Sequence, residues 1–327
     1  MPPSQYLPYR SAMQVQPYRQ GWQAPLEQGS LDVAGVRRTY WLARASARGS
    51  PLLIVLHGYG MDGRAMAELT GLGARGPAAG FTVAFPDGWK GDWYPGRAPA
   101  KEPALDDALF LRDLSYQIEY SGAARSWPVF LAGMASGAAC AEHLARHGYL
   151  PVAVLFLVAG SALDWSRHQI PVPMLRATAV CVAGTGDPLV PYWGGPASRG
   201  GGPLRRRAAR QGPGESAVAG AVATVKDWAA GNGISAPPAI REIPVRPGEI
   251  PVTLLSWGRP NCRPVTLFRV EGGGHCWPGG RPGRTGRTGR TTRAVGPFAR
   301  NLDATGILLN CAEQAGAPIS ARRAIMR

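Results

Sequence analysis

The chain has few cysteines, and their spacing matches no common metal or disulfide pattern. The 327 residues contain five, with no Cys-x-x-Cys pair among them: Cys140, Cys181, Cys262, Cys276 and Cys311. An odd number without this spacing argues against a disulfide framework and against a zinc site. We therefore expect free thiols, leave open one bridge among the last three cysteines, and expect neither a metal nor another cofactor.

Long apolar runs are also missing. No stretch reaches the roughly 18 consecutive apolar residues that a membrane-spanning helix needs. The N-terminal Met-Pro-Pro-Ser-Gln-Tyr has neither the charged start nor the apolar centre of a signal peptide. We expect a cytoplasmic protein, or a secreted one whose leader has been removed, and no membrane partner.

Acidic residues are scarce relative to basic ones. The sequence has 36 Lys and Arg against 21 Asp and Glu, a formal net charge of +15. Such a charge can favour nucleic acids or membrane surfaces. Much of the excess lies in two loop-like runs, Arg205–Arg207 and residues 281–293, so a basic binding face is not required. We do not expect a nucleic-acid partner, and the oligomeric state stays open.

Glycine and proline, by contrast, are abundant. The 44 glycines and 31 prolines indicate many turns and long loops. The length is sufficient for one large domain with a substantial core. We predict a polar N-terminal arm over residues 1–30 and a single domain over residues 31–320.

Short apolar runs alternate with helical segments along this domain. A half-buried edge strand is predicted at residues 36–42, and buried strands at 52–56, 81–85, 129–132, 152–158, 179–183, 252–257 and 265–270. Helices are predicted at 66–79, 108–118, 138–145, 217–230 and 302–315. Strands that alternate with helices predict an α/β protein with a mostly parallel central sheet and helices on both faces.

One strand runs straight into a helix through Gly133-Met-Ala-Ser-Gly137. This pattern is typical of a nucleophile elbow, a strained turn that lifts its middle residue above the sheet. The middle residue here is Ala135, which carries no nucleophilic atom. A frame shifted to Ser136 would place the bulky Met134 where the turn needs a small residue, so we favour Ala135.

Three further loops follow predicted strands. His57-Gly-Tyr-Gly60 lies where hydrolases of this architecture place one oxyanion-hole N–H. Asp187 follows the strand at 179–183 and is well placed to orient a histidine. His275 stands in a glycine-rich loop after the last strand, as a mobile general base would need. The plainer interpretations are an ordinary loop, an Asx-turn aspartate and a surface or core histidine.

Aromatic and acidic residues mark other loops. Trp89, Trp93 and Trp277 are predicted to wall a ligand cleft, because they follow strands at their carboxyl ends. Asp106 and Asp107 precede a helix and are interpreted as structural caps.

Taken in chain order, these motifs resemble those of the esterase family typified by polyhydroxybutyrate depolymerases and feruloyl or acetylxylan esterases. The matching segments are Leu56–Gly60, Phe85–Gly88, Asp106-Asp107, Gly133–Gly137, Gly184–Tyr192 and Gly272–Gly279. The resemblance implies an α/β-hydrolase fold and a serine-type carboxylic ester hydrolase acting on a polyester or on an aryl or sugar ester. It also implies Asp187 as triad acid, His275 as base, and oxyanion donors at the backbone N–H groups of Tyr59 and Ser136.

The sequence departs from the family pattern in three places. Ala135 stands where the family has its nucleophilic serine, and Ala138 replaces a common glycine. The arginine-rich stretch after Pro282 looks like an insertion. We therefore expect the chain to be inactive as written, whether Ala135 is an engineered Ser→Ala change or a natural loss. The alternative is a non-catalytic ligand-binding homologue.

Residues 281–293 repeat Gly-Arg-Thr and have no apolar periodicity to bury, which predicts a disordered segment. Deleting them should leave the melting temperature nearly unchanged and weaken any adventitious binding to nucleic acid. Thermal unfolding measures the first effect, and a large drop in melting temperature would contradict the prediction.

Overall fold

The apolar runs form a large sheet whose centre is parallel. A computed structural model describes residues 25–93, 106–173, 176–197, 217–259, 263–281 and 296–316. Its strands are β1 (Glu27–Val33), β2 (Val36–Ala43), β3 (Pro51–Leu56), β4 (Thr82–Pro86), β5 (Arg125–Met134), β6 (Val152–Val158), β7 (Thr178–Gly184), β8 (Gly195–Pro196), β9 (Ala217–Val218), β10 (Ala239–Ile243), β11 (Val252–Trp257) and β12 (Val265–Val270). Its helices are α1 (Gly63–Thr70), α2 (Leu72–Ala78), α3 (Asp107–Tyr120), α4 (Ser136–Arg146), α5 (Asp164–Gln169), α6 (Ala221–Gly231) and α7 (Ala304–Gly316).

Among the described residues, ten strands pair in the order β1-β2-β4-β3-β5-β6-β7-β12-β11-β10. The six from β4 to β12 are parallel, and antiparallel strands extend the sheet on both sides. In parallel strands the carboxyl ends meet at one edge, where open α/β sheets bind ligands. The elbow and the Asp187 loop therefore start from the same edge of the sheet.

Helices cover both faces of the sheet, and strand β3 shows the consequence for sequence. Leu52, Ile54 and Leu56 contribute to the core beneath α3, α4 and α6. Leu53 and Val55 contribute to the opposite core beneath α1, α2 and α7. A strand buried on both faces needs apolar residues at every position, which is why this run does not alternate. The prediction of a mostly parallel sheet with helices on both faces is confirmed.

Several predicted boundaries are wrong for local reasons. The predicted edge strand is β2, which lies between β1 and β4. Strand β1 begins at Glu27, inside the predicted polar arm. The helix predicted at 66–79 is broken into α1 and α2 by Gly71, whose φ is 66°. Residues 217 and 218 form a short strand before α6.

Some predicted segments lie wholly or partly outside the described residues. They are the first 24 residues of the arm, the basic Arg205–Arg207 run, and residues 282–293 of the arginine-rich stretch. Arg281 is described, and its backbone N–H donates to the carbonyl of Leu69 at 2.9 Å. In the described part of the chain, no helix has the length and apolar character that crossing a bilayer requires.

A buried ionic network fixes the helix that starts at the elbow. Arg146 in α4 is fully buried, and its Nε donates to Glu142 Oε1 at 2.8 Å. The Nη2 atom of Arg146 donates to Asp227 of α6 at 3.0 Å, and Arg167 of α5 donates to the same carboxylate. Burial raises the pKa of Glu142, while Arg146 opposes that rise. The network joins α4, α5 and α6 into one layer behind the site.

Replacing Glu142 by Ala should lower the free energy of unfolding by about 3 kcal/mol, because it leaves a buried guanidinium short of a counter-charge. The matched control is Glu68→Ala, which breaks the exposed Arg64–Glu68 pair at the same i, i+4 spacing and should cost less than about 0.5 kcal/mol. Urea unfolding of both variants tests the contrast. Equal losses would show that burial of the network is unimportant.

Candidate active site

The turn between β5 and α4 has the geometry of a nucleophile elbow with Ala135 at its apex. Ala135 has φ 52° and ψ −117°, and Ser136 is already the first residue of α4. The backbone N–H of Ala135 donates to the carbonyl of Val158 at 3.0 Å. A non-glycine residue in this region is strained and persists only where the surroundings fix it.

The surrounding glycines are required by close packing. A Cβ on Gly133 would collide with the carbonyl of Gly137, and a Cβ on Gly137 with the carbonyl of His57. Neither glycine has a positive φ, so the backbone strain of the elbow is concentrated at Ala135. Across the site, Gly160 faces the methyl group of Ala138, which leaves no room for a side chain at position 160.

The structure brings Asp187 and His275 together. His275 Nδ1 lies 2.8 Å from Asp187 Oδ2, and the two side chains are 11% and 2% exposed. The other carboxylate oxygen of Asp187 accepts the N–H groups of Leu189 and Val190 at 2.8 and 2.9 Å. Asp187 is thus both an Asx-turn residue and a histidine partner. Because Nδ1 donates to the carboxylate, Nε2 is the basic nitrogen, and within the described residues it makes no hydrogen bond.

Hydrogen bonds hold the histidine loop against the aspartate loop. The N–H of Gly186 donates to the carbonyl of Gly273 at 3.0 Å, and the N–H of Gly272 donates to Thr185 Oγ1 at 2.7 Å. A Cβ on Gly184 would collide with the carbonyl of Gly273. The sequence predicts that the glycine run loosens the loop around His275. The close approach of the two backbones depends on glycines of the aspartate loop, Gly184 and Gly186, because a Cβ at either position would meet the carbonyl of Gly273 or Gly272.

A buried histidine, His57, supports the loop that carries the predicted oxyanion-hole donor, the N–H of Tyr59. His57 Nε2 accepts the N–H of Gly88 at 2.9 Å, so the proton resides on Nδ1, which donates to the carbonyl of Gly58 at 2.8 Å. Burial lowers the pKa of His57, which favours this neutral form. A Cβ on Gly58 would lie 3.5 Å from the Cβ of Ala135. The loop that carries Tyr59 therefore lies close to the elbow.

The second assigned oxyanion donor is the N–H of Ser136. It lies in the first turn of α4, where a helix provides no acceptor for its own N–H groups and favours negative charge. The Ser136 hydroxyl is buried and makes no hydrogen bond in the described part of the chain.

For two of the three tryptophans predicted to wall the cleft, Trp93 and Trp277, the prediction is wrong. Trp277 is 0% exposed; its Nε1 donates to Thr305 and its ring packs in the core beneath α7. Trp93 is 7% exposed, and its Nε1 donates to the carbonyl of His57 at 2.8 Å. Both indoles brace the loops of the site from behind. Trp89 is half-buried and keeps part of its surface open.

Asp106 and Asp107 are both structural, as the sequence predicts, but only Asp106 is a helix cap. Asp106 Oδ1 accepts the N–H of Ala108 at 2.9 Å as the N-cap of α3. Asp107 is fully buried and pairs with Arg38 of β2. Neither carboxylate is needed to explain the chemistry of the site.

Sequence reasoning missed a recess beside Asp187 and the exposure of Trp193, which lies six residues further along the chain. The recess is lined in part by Gly160, Ser161, Asp187 and Tyr192. Trp193 is 72% exposed. The one available signal was position, since Trp193 directly follows the Gly184–Tyr192 motif.

Other nucleophiles and metal ligands are poorly placed. Cys276 neighbours His275, but burial raises its pKa to about 11, so the thiol stays protonated near neutral pH. Cys140, Cys181, Cys276 and Cys311 are free thiols. Among the residues that the structure describes, no group of three or more His, Cys, Asp or Glu side chains could hold a metal ion.

Comparison with known proteins gives a relative and a similar fold, although no family model matches the chain. The putative esterase NocK of Nocardia uniformis subsp. tsuyamanensis is 31% identical over 266 residues, which cover 76% of this chain and 73% of that protein. The acetyl xylan esterase of Aspergillus awamori is similar in structure, with a TM-score of 0.54, 14% identity, and coverage of 76% of this chain and 94% of that one. The sequence relative establishes kinship and the structural likeness establishes the fold. The chain therefore belongs to the esterase-like α/β-hydrolase family.

Proposed function

We propose that this chain has the site of a serine-type carboxylic ester hydrolase in which Ala135 occupies the position of the nucleophile. The observation that carries the proposal is the Asp187–His275 pair, joined at 2.8 Å and placed at the same sheet edge as a strained elbow. Asp, His and elbow residue are the parts of a catalytic triad, and only the nucleophilic oxygen is missing. As written, the chain would bind esters and turn them over very slowly.

A serine at position 135 would complete the reaction in two steps. His275 Nε2 would accept the hydroxyl proton while the oxygen attacks the ester carbonyl, and Asp187 would stabilise the imidazolium. The backbone N–H groups of Ser136 and Tyr59 would stabilise the negative oxygen of the tetrahedral intermediate. The imidazolium would then protonate the departing alcohol, and water would release the acid from the acyl-enzyme. With Ala135 the first step has no attacking oxygen.

The proposed ligands are polyhydroxybutyrate-like polyesters or feruloyl and acetylated sugar esters. This finer assignment rests on the motifs around Asp187 and His275, which resemble that esterase group. The second candidate function is ligand binding without catalysis, and Ala135 itself favours it. The two candidates share the pocket and differ in whether a restored nucleophile is sufficient for turnover.

Ala135→Ser should raise hydrolysis of 4-nitrophenyl butyrate by several orders of magnitude, since removing a triad nucleophile costs on the order of 10⁶ in turnover. Alanine and serine both carry a Cβ, so the exchange adds no backbone strain at φ 52°. The measurement is nitrophenol release at neutral pH, compared with the unmodified chain.

The gain should disappear when His275→Ala is added and should fall by about 10⁴ with Asp187→Asn. If Ala135→Ser stays inactive on short esters, feruloyl esters and polyhydroxybutyrate but binds them, ligand binding without catalysis replaces our proposal.

Ser136→Ala in the Ala135→Ser chain should leave turnover within about twofold and stability within about 0.5 kcal/mol. The reason is that the Ser136 hydroxyl is buried and makes no hydrogen bond among the described residues, whereas its backbone N–H is kept. Initial rates and urea unfolding measure the two effects. Hydrolysis by the unmodified chain that Ser136→Ala abolishes would instead identify Ser136 as the nucleophile.

A further inference from the structure

The loop that begins with the triad acid ends in an exposed indole. Trp193 is 72% exposed and lies six residues after Asp187. Single exposed apolar residues are common on protein surfaces and need no explanation by themselves. Tyr120 on α3, which is 96% exposed, is such a case. Trp193 differs in the support of its backbone and in its neighbours.

Backbone contacts hold Trp193 on both sides. The carbonyl of Tyr192 accepts the N–H of Ala221 at 2.9 Å, and the N–H of Gly194 donates to the carbonyl of Pro191 at 3.0 Å. A Cβ on Gly220 would collide with the backbone around Trp193, so the two segments pack without a gap. A rigid aromatic surface loses little conformational entropy when a ligand covers it.

The indole also contacts Tyr192, one of the residues that line the recess beside Asp187. Trp193 contacts the ring of Tyr192 edge to face, with ring centroids 4.8 Å apart. Tyr192 is 4% exposed and lines the recess together with Asp187 and Ser161. The Ser161 hydroxyl is buried and makes no hydrogen bond in the described part of the chain. The recess is thus lined by an unpaired hydroxyl and by a tyrosine whose ring touches the exposed indole.

We propose that Trp193 is a specificity-determining residue that stacks against an aromatic ring of the ester ligand. The inference rests on the proposed function for the identity of the ligand as an ester. It narrows the substrate class to esters with an aromatic group, which a flat indole prefers over an aliphatic chain. Trp193 takes the role that the sequence had assigned to Trp93 and Trp277.

The first test is binding to the unmodified chain, measured by calorimetry with methyl ferulate and methyl hexanoate. Trp193→Ala should weaken methyl ferulate binding by about tenfold, the effect of losing one good aromatic contact. Binding of methyl hexanoate should change by less than about threefold, and Trp193→Phe should restore most of the affinity for methyl ferulate. Tyr120→Ala, the matched exposed aromatic, should change neither.

The second test uses turnover in the Ala135→Ser chain. There Trp193→Ala should raise KM for methyl ferulate by about tenfold and leave kcat within about twofold, because the indole contacts the ligand away from the reacting carbonyl. If Ala135→Ser is inactive, the proposed function fails while the binding experiment still decides about Trp193. Unchanged methyl ferulate binding in Trp193→Ala, no binding by the unmodified chain, or an equal loss for both esters overturns the inference.

Discussion

Close contact between backbones at the carboxyl edge of the parallel strands is the constraint on which the site depends. Gly133, Gly137, Gly160 and Gly184 each lie where a Cβ would collide with a neighbouring atom. These contacts hold Ala135 in a strained conformation and bring the Asp187 and His275 loops together. Because densely packed interiors transmit small displacements directly, the positions of Ala135, Asp187 and His275 follow from the packing of main chains.

The electrostatics of the site are set by burial and by hydrogen bonds. Asp187 is almost completely buried, and three N–H donors surround it: two from the backbone and one from His275. Such a carboxylate stabilises a positive imidazole and fixes its orientation. His57 is also buried but has two backbone partners, and it serves as a neutral brace for the neighbouring loop. Two histidines that follow strand ends thus differ in their hydrogen-bond partners: a carboxylate for His275 and two backbone groups for His57.

At position 135 the requirements of folding differ from those of catalysis. The strained turn, the supporting glycines and the hydrogen-bonded Asp187–His275 pair are all present although the apex residue is an alanine. None of these features requires a serine for folding, because strain at the apex depends on Cβ and not on Oγ. A change at this one position could therefore remove catalysis and leave the architecture intact, which is why kinship to esterases does not by itself establish turnover.

The apolar pattern of the sequence is sufficient to predict the layered fold, and its motifs predict Ala135, Asp187 and His275 as the residues of the site. Continuous apolar runs such as residues 52–56 and 152–158 specify doubly covered strands, and motif order specifies which loops share an edge. Tertiary structure alone decided how exposed each aromatic residue is. Trp93, Trp277 and Trp193 all follow strand-end motifs, yet two are buried behind the loops and one faces solvent. Solvent exposure depends on contacts with distant segments, Trp277 with Thr305 for instance, and local sequence carries no record of those contacts.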